Sequence, residues 1–252
     1  MKIYSRTDKG RVRESNQDSF AALHLSDTAA FAVVCDGMGG ANGGNIASAI
    51  AVKTLSESFQ RNFRNHMTDN SIRMMMESAI VTANSSVLAA AAKNSDYKGM
   101  GTTVVAAFID NGQITLAHLG DSRAYLFTQN QLTLLTHDHS VIQSMIDTGQ
   151  ISESEARYHP KKNVITRALG VHKDIDIEFT TVPFSEGDML LLCTDGLTNY
   201  LEKDRMEFLF ANTKPESLTD ALVHGANASG GGDNITVVLL SNESMVGESI
   251  YG

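Results

Sequence analysis

Apolar and polar positions divide this chain into short strand-like runs and longer stretches of helical period. Residues 19–25 and 31–35 read as a strand pair, and Gly39–Gly44 as a flexible connector into a helix over about 45–60. A second helix is predicted over about 71–93, where Ile72, Met75, Met76, Ala79, Ile80, Ala83, Val87 and Leu88 recur at helical spacing, so Met74–Met76 read as core. Thr102–Ile109 and Gln113–Leu119 flank Asn111-Gly112, a strong short-range hairpin signal. Strands at about 122–127 and 132–135 extend this meander. A helix near 140–148 leads into a polar stretch, Gln150–Asn163, of mixed charge and no clear period. Strands are expected at about 164–168, 175–182 and 188–194, helices near 203–211 and 216–228, and a last strand at 235–240.

Antiparallel runs follow one another and helices come in pairs, which predicts an α+β fold with sheets packed between helices. A doubly wound sheet would need strand–helix–strand alternation, which this order lacks. Three prolines and no Ser/Pro/Gly-rich linker point to one domain over 1–241, with 242–252 a flexible tail.

Composition removes several function classes. Net charge is −9 with no Lys/Arg run, there is no Trp, and aromatics make up 6%, so nucleic acid is not an expected partner. No apolar stretch approaches the length of a membrane span, and the N-terminus has no apolar leader, so a cytoplasmic monomer is expected. The two cysteines, Cys35 and Cys193, lie inside strand-like runs, which excludes a disulfide framework and fits a reducing compartment. Strand alternation turns Cys35 away from the face of Asp36 but leaves Cys193 on that of Asp195. Hard oxygen ligands dominate the neighbourhood, and both cysteines read as packing residues.

Charge at strand ends changes the picture. Phe31–Cys35 runs into Asp36-Gly37, Met189–Thr194 runs into Asp195-Gly196, and Asp233 follows three glycines and precedes the run 235–240. Each Asp-Gly alone is most simply a tight turn. Three strand-end carboxylates converging on one cleft would need compensation, and a pair of divalent cations supplies it. Asp121, in Gly120-Asp121-Ser122-Arg123, and Asp18, in Arg13-x-x-Asn16-Gln17-Asp18, are further candidates. No zinc spacing, nucleophile elbow or dinucleotide fingerprint competes, and Gly39–Gly44 lacks the Lys of a nucleotide loop.

Arg13-x-x-Asn16-Gln17-Asp18, Asp36-Gly37-Met38-Gly39-Gly40, Gly101-Thr102-Thr103, Gly120–Arg123, Asp138-His139-Ser140, Asp195-Gly196 and Gly232-Asp233-Asn234 follow in an order that resembles the metal-dependent protein phosphatases of the protein phosphatase 2C type, in their bacterial single-domain form. The likeness spans about residues 1–240. It implies a four-layer α-β-β-α sandwich of two antiparallel sheets, with metals at one end. It implies two Mn²⁺ or Mg²⁺ ions bridged by Asp36, one completed by the Gly37 carbonyl and the other by Asp195 with Asp233. Asp121, together with Asp195, would hold a third, weaker ion. By the same resemblance Asp18 would hold a metal-bound water from just outside the ligands, as would Asn234, and Arg13 would clamp phosphate oxygens. Gly196 is expected to remain turn chemistry. The implied reaction is attack of metal-activated water on phosphoserine or phosphothreonine of phosphoproteins, opposing a serine/threonine kinase.

Met38 stands where some relatives carry a histidine that serves as general acid, which leaves that role to a metal-bound water or another residue, with His139 and His159 as candidates. Gln17 replaces an acid found in some relatives. The stretch Gln150–Asn163 matches the bacterial flap. A phosphosite-binding module without turnover would be expected to have lost a ligand, and none is lost; hydrolysis of small phosphate esters stays open.

Overall fold

The computed structural model describes residues 1–156 and 159–243, and for residues 40–42 the backbone alone. In chain order the elements are β1 (Lys2–Asp8), β2 (Asp18–His24), β3 (Ala30–Met38), α1 (Gly40–Asn62), α2 (Asp69–Lys93), a 3-10 turn (Ser95–Tyr97), β4 (Gly101–Thr102), β5 (Val104–Asp110), β6 (Gln113–Leu119), β7 (Arg123–Thr128), β8 (Gln131–Leu134), α3 (Val141–Asp147), α4 (Glu153–Ala156), β9 (Glu178–Pro183), β10 (Met189–Cys193), α5 (Asp195–Thr198), α6 (Lys203–Asn212), α7 (Pro215–Ala228) and β11 (Ile235–Ser241). One antiparallel sheet runs β1-β11-β10-β7-β8 and the other β2-β3-β5-β6-β9, with β4 paired to the end of β3.

Strand alternation builds the layers. On β3, Phe31, Val33 and Cys35 face α1 and α2, while Ala30, Ala32 and Val34 face the other sheet. On β10, Leu190 and Leu192 point between the sheets, and Met189, Leu191 and Cys193 pack under α6 and α7. Three apolar layers between four structural ones give the α-β-β-α sandwich. Both thiols are buried and unpaired. Asn111 (φ 49°) and Gly112 (φ 73°) make the left-handed pair of the expected hairpin turn.

Several expectations are corrected. Gly39–Gly44 is not a flexible connector; α1 begins at Gly40, and Gly44 lets the helix start lie on the β3 backbone at Gly37. The segment 164–168 forms no strand, only a bridge from Ile165 to Ser140. Strand β1 is an added element, paired along its whole length with β11. Met75 and Met76 are core, whereas Met74 is exposed. Asn242 is bonded to Asp188 and Phe184, and residues 244–252 of the expected tail lie outside the described residues.

Candidate metal centre

The layer between the sheets changes from apolar to ionisable at one end. Phe20, Ala22, Ala32 and Val34 pack there from β2 and β3, and the next rung of that face is Asp18, opposite Asp36 in register. From the other sheet Val238 and Leu240 give way to Thr236, and Leu192 to Thr194. Asp195 opens α5 directly after β10, Asp233 stands just before β11, and Asp121 lies in the turn between β6 and β7. A cleft of about 300 Å³ is lined by Arg13, Gln17, Asp36, Gly37, Met38, Asp121, Asn163, Ile165, Asp195, Asp233 and Asn234, among others. Neither Asp-Gly pair is a simple turn. Strand β3 continues through Gly37 to Met38, and Gly196 sits inside the single helical turn of α5.

The carboxylates hold charge that burial penalises. Desolvation, then Asp18 and Asp195, pushes Asp36 well above the ordinary range. Asp18 rises to about 7 through burial, against hydrogen bonds from Thr236 and Thr194 that favour its ionised form. Asp121 rises to about 8 through burial and then repulsion from Asp195. Asp195 is raised by burial and then by Asp233. The nearby guanidinium groups are engaged: Arg13 Nη2 reaches Asp233 Oδ2 at 2.7 Å, and Arg123 holds Asp138 through two bonds at 2.8 and 2.7 Å.

Oδ1 of Asp18 and Oδ1 of Asp195 are buried and accept no hydrogen bond. An all-oxygen set with repelling carboxylates and orphaned acceptors fits hard divalent cations.

The surrounding motif residues fix this set in place. The Asp36 N–H donates to Thr103 Oγ1 at 2.9 Å, and Thr102 Oγ1 donates to the Asp36 carbonyl at 2.8 Å. Thr103 also meets Ser122 hydroxyl to hydroxyl at 2.7 Å, tying β3 to the Asp121 turn. Asn234 is used differently from the sequence expectation. Its Nδ2 donates to the carbonyls of Lys9 and Ser15, both at 2.9 Å, and its Oδ1 accepts the Gln17 N–H at 2.9 Å. Both amide protons are thereby spent on the loop that carries Arg13.

A buried histidine pair lies behind the Asp121 turn. The ligand atoms of His118, His139 and Glu178 fall within 4.8 Å of one another. His139 Nδ1 accepts the Gly120 N–H at 3.1 Å, so in the neutral ring Nε2 carries the proton and donates it to Glu178 at 3.0 Å. Burial, then Arg167, lowers the His139 pKa and keeps the ring neutral. Burial, then His139, takes His118 down to about 3, against a hold from the Ser122 backbone. With Nδ1 closed by Gly120 and the Arg167 guanidinium at 3.1 Å from Nε2, this group is a packing cluster that seats the Asp121 turn. Neither His139 nor His159 is among the residues lining the cleft.

The family profile described as protein phosphatase 2C matches residues 7–224. The chain is similar to the serine/threonine phosphatase stp of Listeria welshimeri, 39% identical over 241 residues and covering 95% of each chain. It is similar to protein phosphatase PhpP of Streptococcus pneumoniae, 37% identical with 96% and 97% covered. Among solved structures it resembles the S. agalactiae serine/threonine phosphatase, with a TM-score of 0.90, 34% identity, and 96% of this chain and 99% of that one covered. It also resembles the catalytic domain of the serine/threonine phosphatase PstP in complex with two manganese ions, with a TM-score of 0.83, 29% identity, and coverage of 94% and 96%.

Proposed function

The chain belongs to the protein phosphatase 2C family and is a metal-dependent protein serine/threonine phosphatase, and from this we propose that Asp36, the Gly37 carbonyl, Asp195 and Asp233 hold two Mn²⁺ or Mg²⁺ ions. Asp121, with Asp195, holds a third, weaker one. The observation that carries the assignment is the ring of buried, mutually repelling carboxylates around one cleft, with acceptor oxygens left unpaired. When bound, the ions supply Lewis-acid activation of water and neutralise the phosphate.

The chain's own groups do the rest. Arg13, half-exposed at the cleft and already aimed at Asp233, offers its remaining donors to a phosphate oxygen. Asp18, paired with Asp36 in register just behind the cleft lining, orients the attacking water through the oxygen that no protein donor occupies. Asn234 keeps the Arg13 loop against β11 and takes no direct part. Met38 cannot donate a proton and no histidine lines the cleft among the described residues, so the leaving alkoxide takes its proton from water.

Phosphoserine and phosphothreonine proteins are the substrates and a serine/threonine kinase is the opposing partner. The two buried, unpaired thiols favour a reducing cytoplasm, where the protein acts as a monomer. Among the described residues no helix is long and apolar enough to cross a membrane. Hydrolysis of a phosphothreonine peptide is expected to stop with excess chelator and to return with Mn²⁺. Turnover that survives complete metal removal would refute the assignment.

A further inference from the structure

The polar rung that closes the sandwich has an orientation that donor and acceptor counting resolves. Thr194 Oγ1 accepts the backbone N–H of Thr236 at 3.0 Å and lies 2.9 Å from Asp18 Oδ2. Its single proton therefore goes to the carboxylate. The Thr236 hydroxyl meets Thr7 Oγ1 at 2.7 Å, and Thr7 Oγ1 accepts from Asn16 Nδ2 at 2.8 Å. Asp18 Oδ2 is thus held by the Thr194 hydroxyl from the end of β10 in the opposite sheet, while Oδ1 accepts nothing from the protein.

The geometry points to Thr194 as a positioning residue that locks the Asp18 carboxylate from behind, so that Oδ1 alone is presented to the reacting water. This rests on the reading of Asp18 given above. Thr194 does not line the cleft and acts through the carboxylate it holds. Without this hydroxyl the carboxylate can rotate about its last bond, and the oxygen offered to water is no longer fixed. Groups that orient a ligand or base in this way typically carry about 10–100-fold in activity.

The test uses the full chain with Thr194→Val, Thr194→Ala and Thr194→Ser, each alone and in an Asp18→Asn background. Phosphothreonine-peptide kinetics, Mn²⁺ calorimetry on metal-free protein and thermal melts are the readouts. Thr194→Val is expected to lower kcat about tenfold, with KM and the Mn²⁺ Kd within about threefold, and to lower the melting temperature because the Thr236 N–H loses its acceptor. Thr194→Ser should recover most of kcat, and the valine should cost no further kcat in Asp18→Asn. Undiminished kcat in Thr194→Val, or an equal loss of kcat in the Asp18→Asn background, overturns the inference. So does a kcat loss that tracks a fall in Mn²⁺ affinity, since that describes support of the metal site. If Thr194→Val does not fold, Thr194→Ala carries the same comparison. Undiminished kcat in Asp18→Asn itself would refute the reading of Asp18, which is a different failure from an inert threonine beside a sensitive Asp18.

Discussion

Asp36 is costly to the metal-free protein because it is buried and faces Asp18 and Asp195 at close quarters. Replacing it by Asn removes a repelling charge while keeping the shape. Asp36→Asn is therefore expected to melt at a higher temperature than the parent in chelator, while losing more turnover than the roughly 100-fold typical of an outer hydrogen-bond partner. A lower melting temperature in chelator would contradict the repulsion argument. Arg13 has a similar double character. Its bond to Asp233 raises its own pKa and places a positive charge where a cation would sit. Arg13→Ala should raise KM for the phosphopeptide several-fold, through lost phosphate contacts, yet tighten Mn²⁺ binding measured by calorimetry. Weaker Mn²⁺ binding would mean that Arg13 helps to build the site. At this scale the acids were legible in the sequence because a charge closing an apolar run is conspicuous. Thr194 was not, because a threonine closing an apolar strand-like run is what β propensity alone would place there. The use of the Asn234 amide was hidden too, since its partners are backbone carbonyls more than two hundred residues away in the chain.

The start of α1 shows how tertiary contact overrides a local signal. A run of glycines reads as a breaker, each costing about 1 kcal/mol in a helix relative to alanine. Here a Cβ on Gly44 would lie 2.6 Å from the Gly37 carbonyl oxygen and 2.9 Å from Gln17 Cδ, and a Cβ on Gly37 would collide with the Gly44 carbonyl. The helix can approach β3 only without side chains, and that approach sets the backbone beside Asp36. Gly44→Ala, a change that normally stabilises a helix, is accordingly expected to destabilise the protein by about 1–3 kcal/mol from overpacking and to weaken Mn²⁺ binding. A rise in melting temperature with intact binding would show that the contact is slack. The absent strand at 164–168 has a related cause. Its backbone groups are taken singly, the Thr166 N–H by the His139 carbonyl and the Val164 carbonyl by the Val141 N–H, so a run that looked like a strand serves as edging for the cleft.

Across the whole molecule the sheet order explains why residues so far apart in sequence meet: β1, β10 and β11 bring the two ends of the chain together beside β2 and β3. The layer count followed from alternation, whereas β1 escaped notice because Lys2–Asp8 has few apolar residues and its pairing partner is at the other end of the chain. Proton linkage also operates at this scale. Folded Asp18 and Asp121 titrate at about 7 and 8, against 3.8 ordinarily, and Asp36 and Asp195 are raised as well. The folded protein therefore binds more protons than the unfolded chain between about pH 4 and 8. This contribution is complete below the unfolded pKa and is lost as pH rises through the folded values. Protons and divalent cations compete for the same oxygens, so the rise in melting temperature on adding Mn²⁺ should be larger at pH 8 than at pH 6. Equal shifts at the two pH values would argue that the ions bind elsewhere. Finally, Cys35 lies on one sheet, one residue before Asp36, and Cys193 lies on the other, two before Asp195, both closed to solvent. Burial raises both thiol pKa values, that of Cys193 to about 12, so a thiol reagent can reach either only after the fold has opened around it. The two labelling rates are built-in clocks, one per sheet, and under Mn²⁺ they should slow and fall into step if ions clasp the halves of the sandwich together.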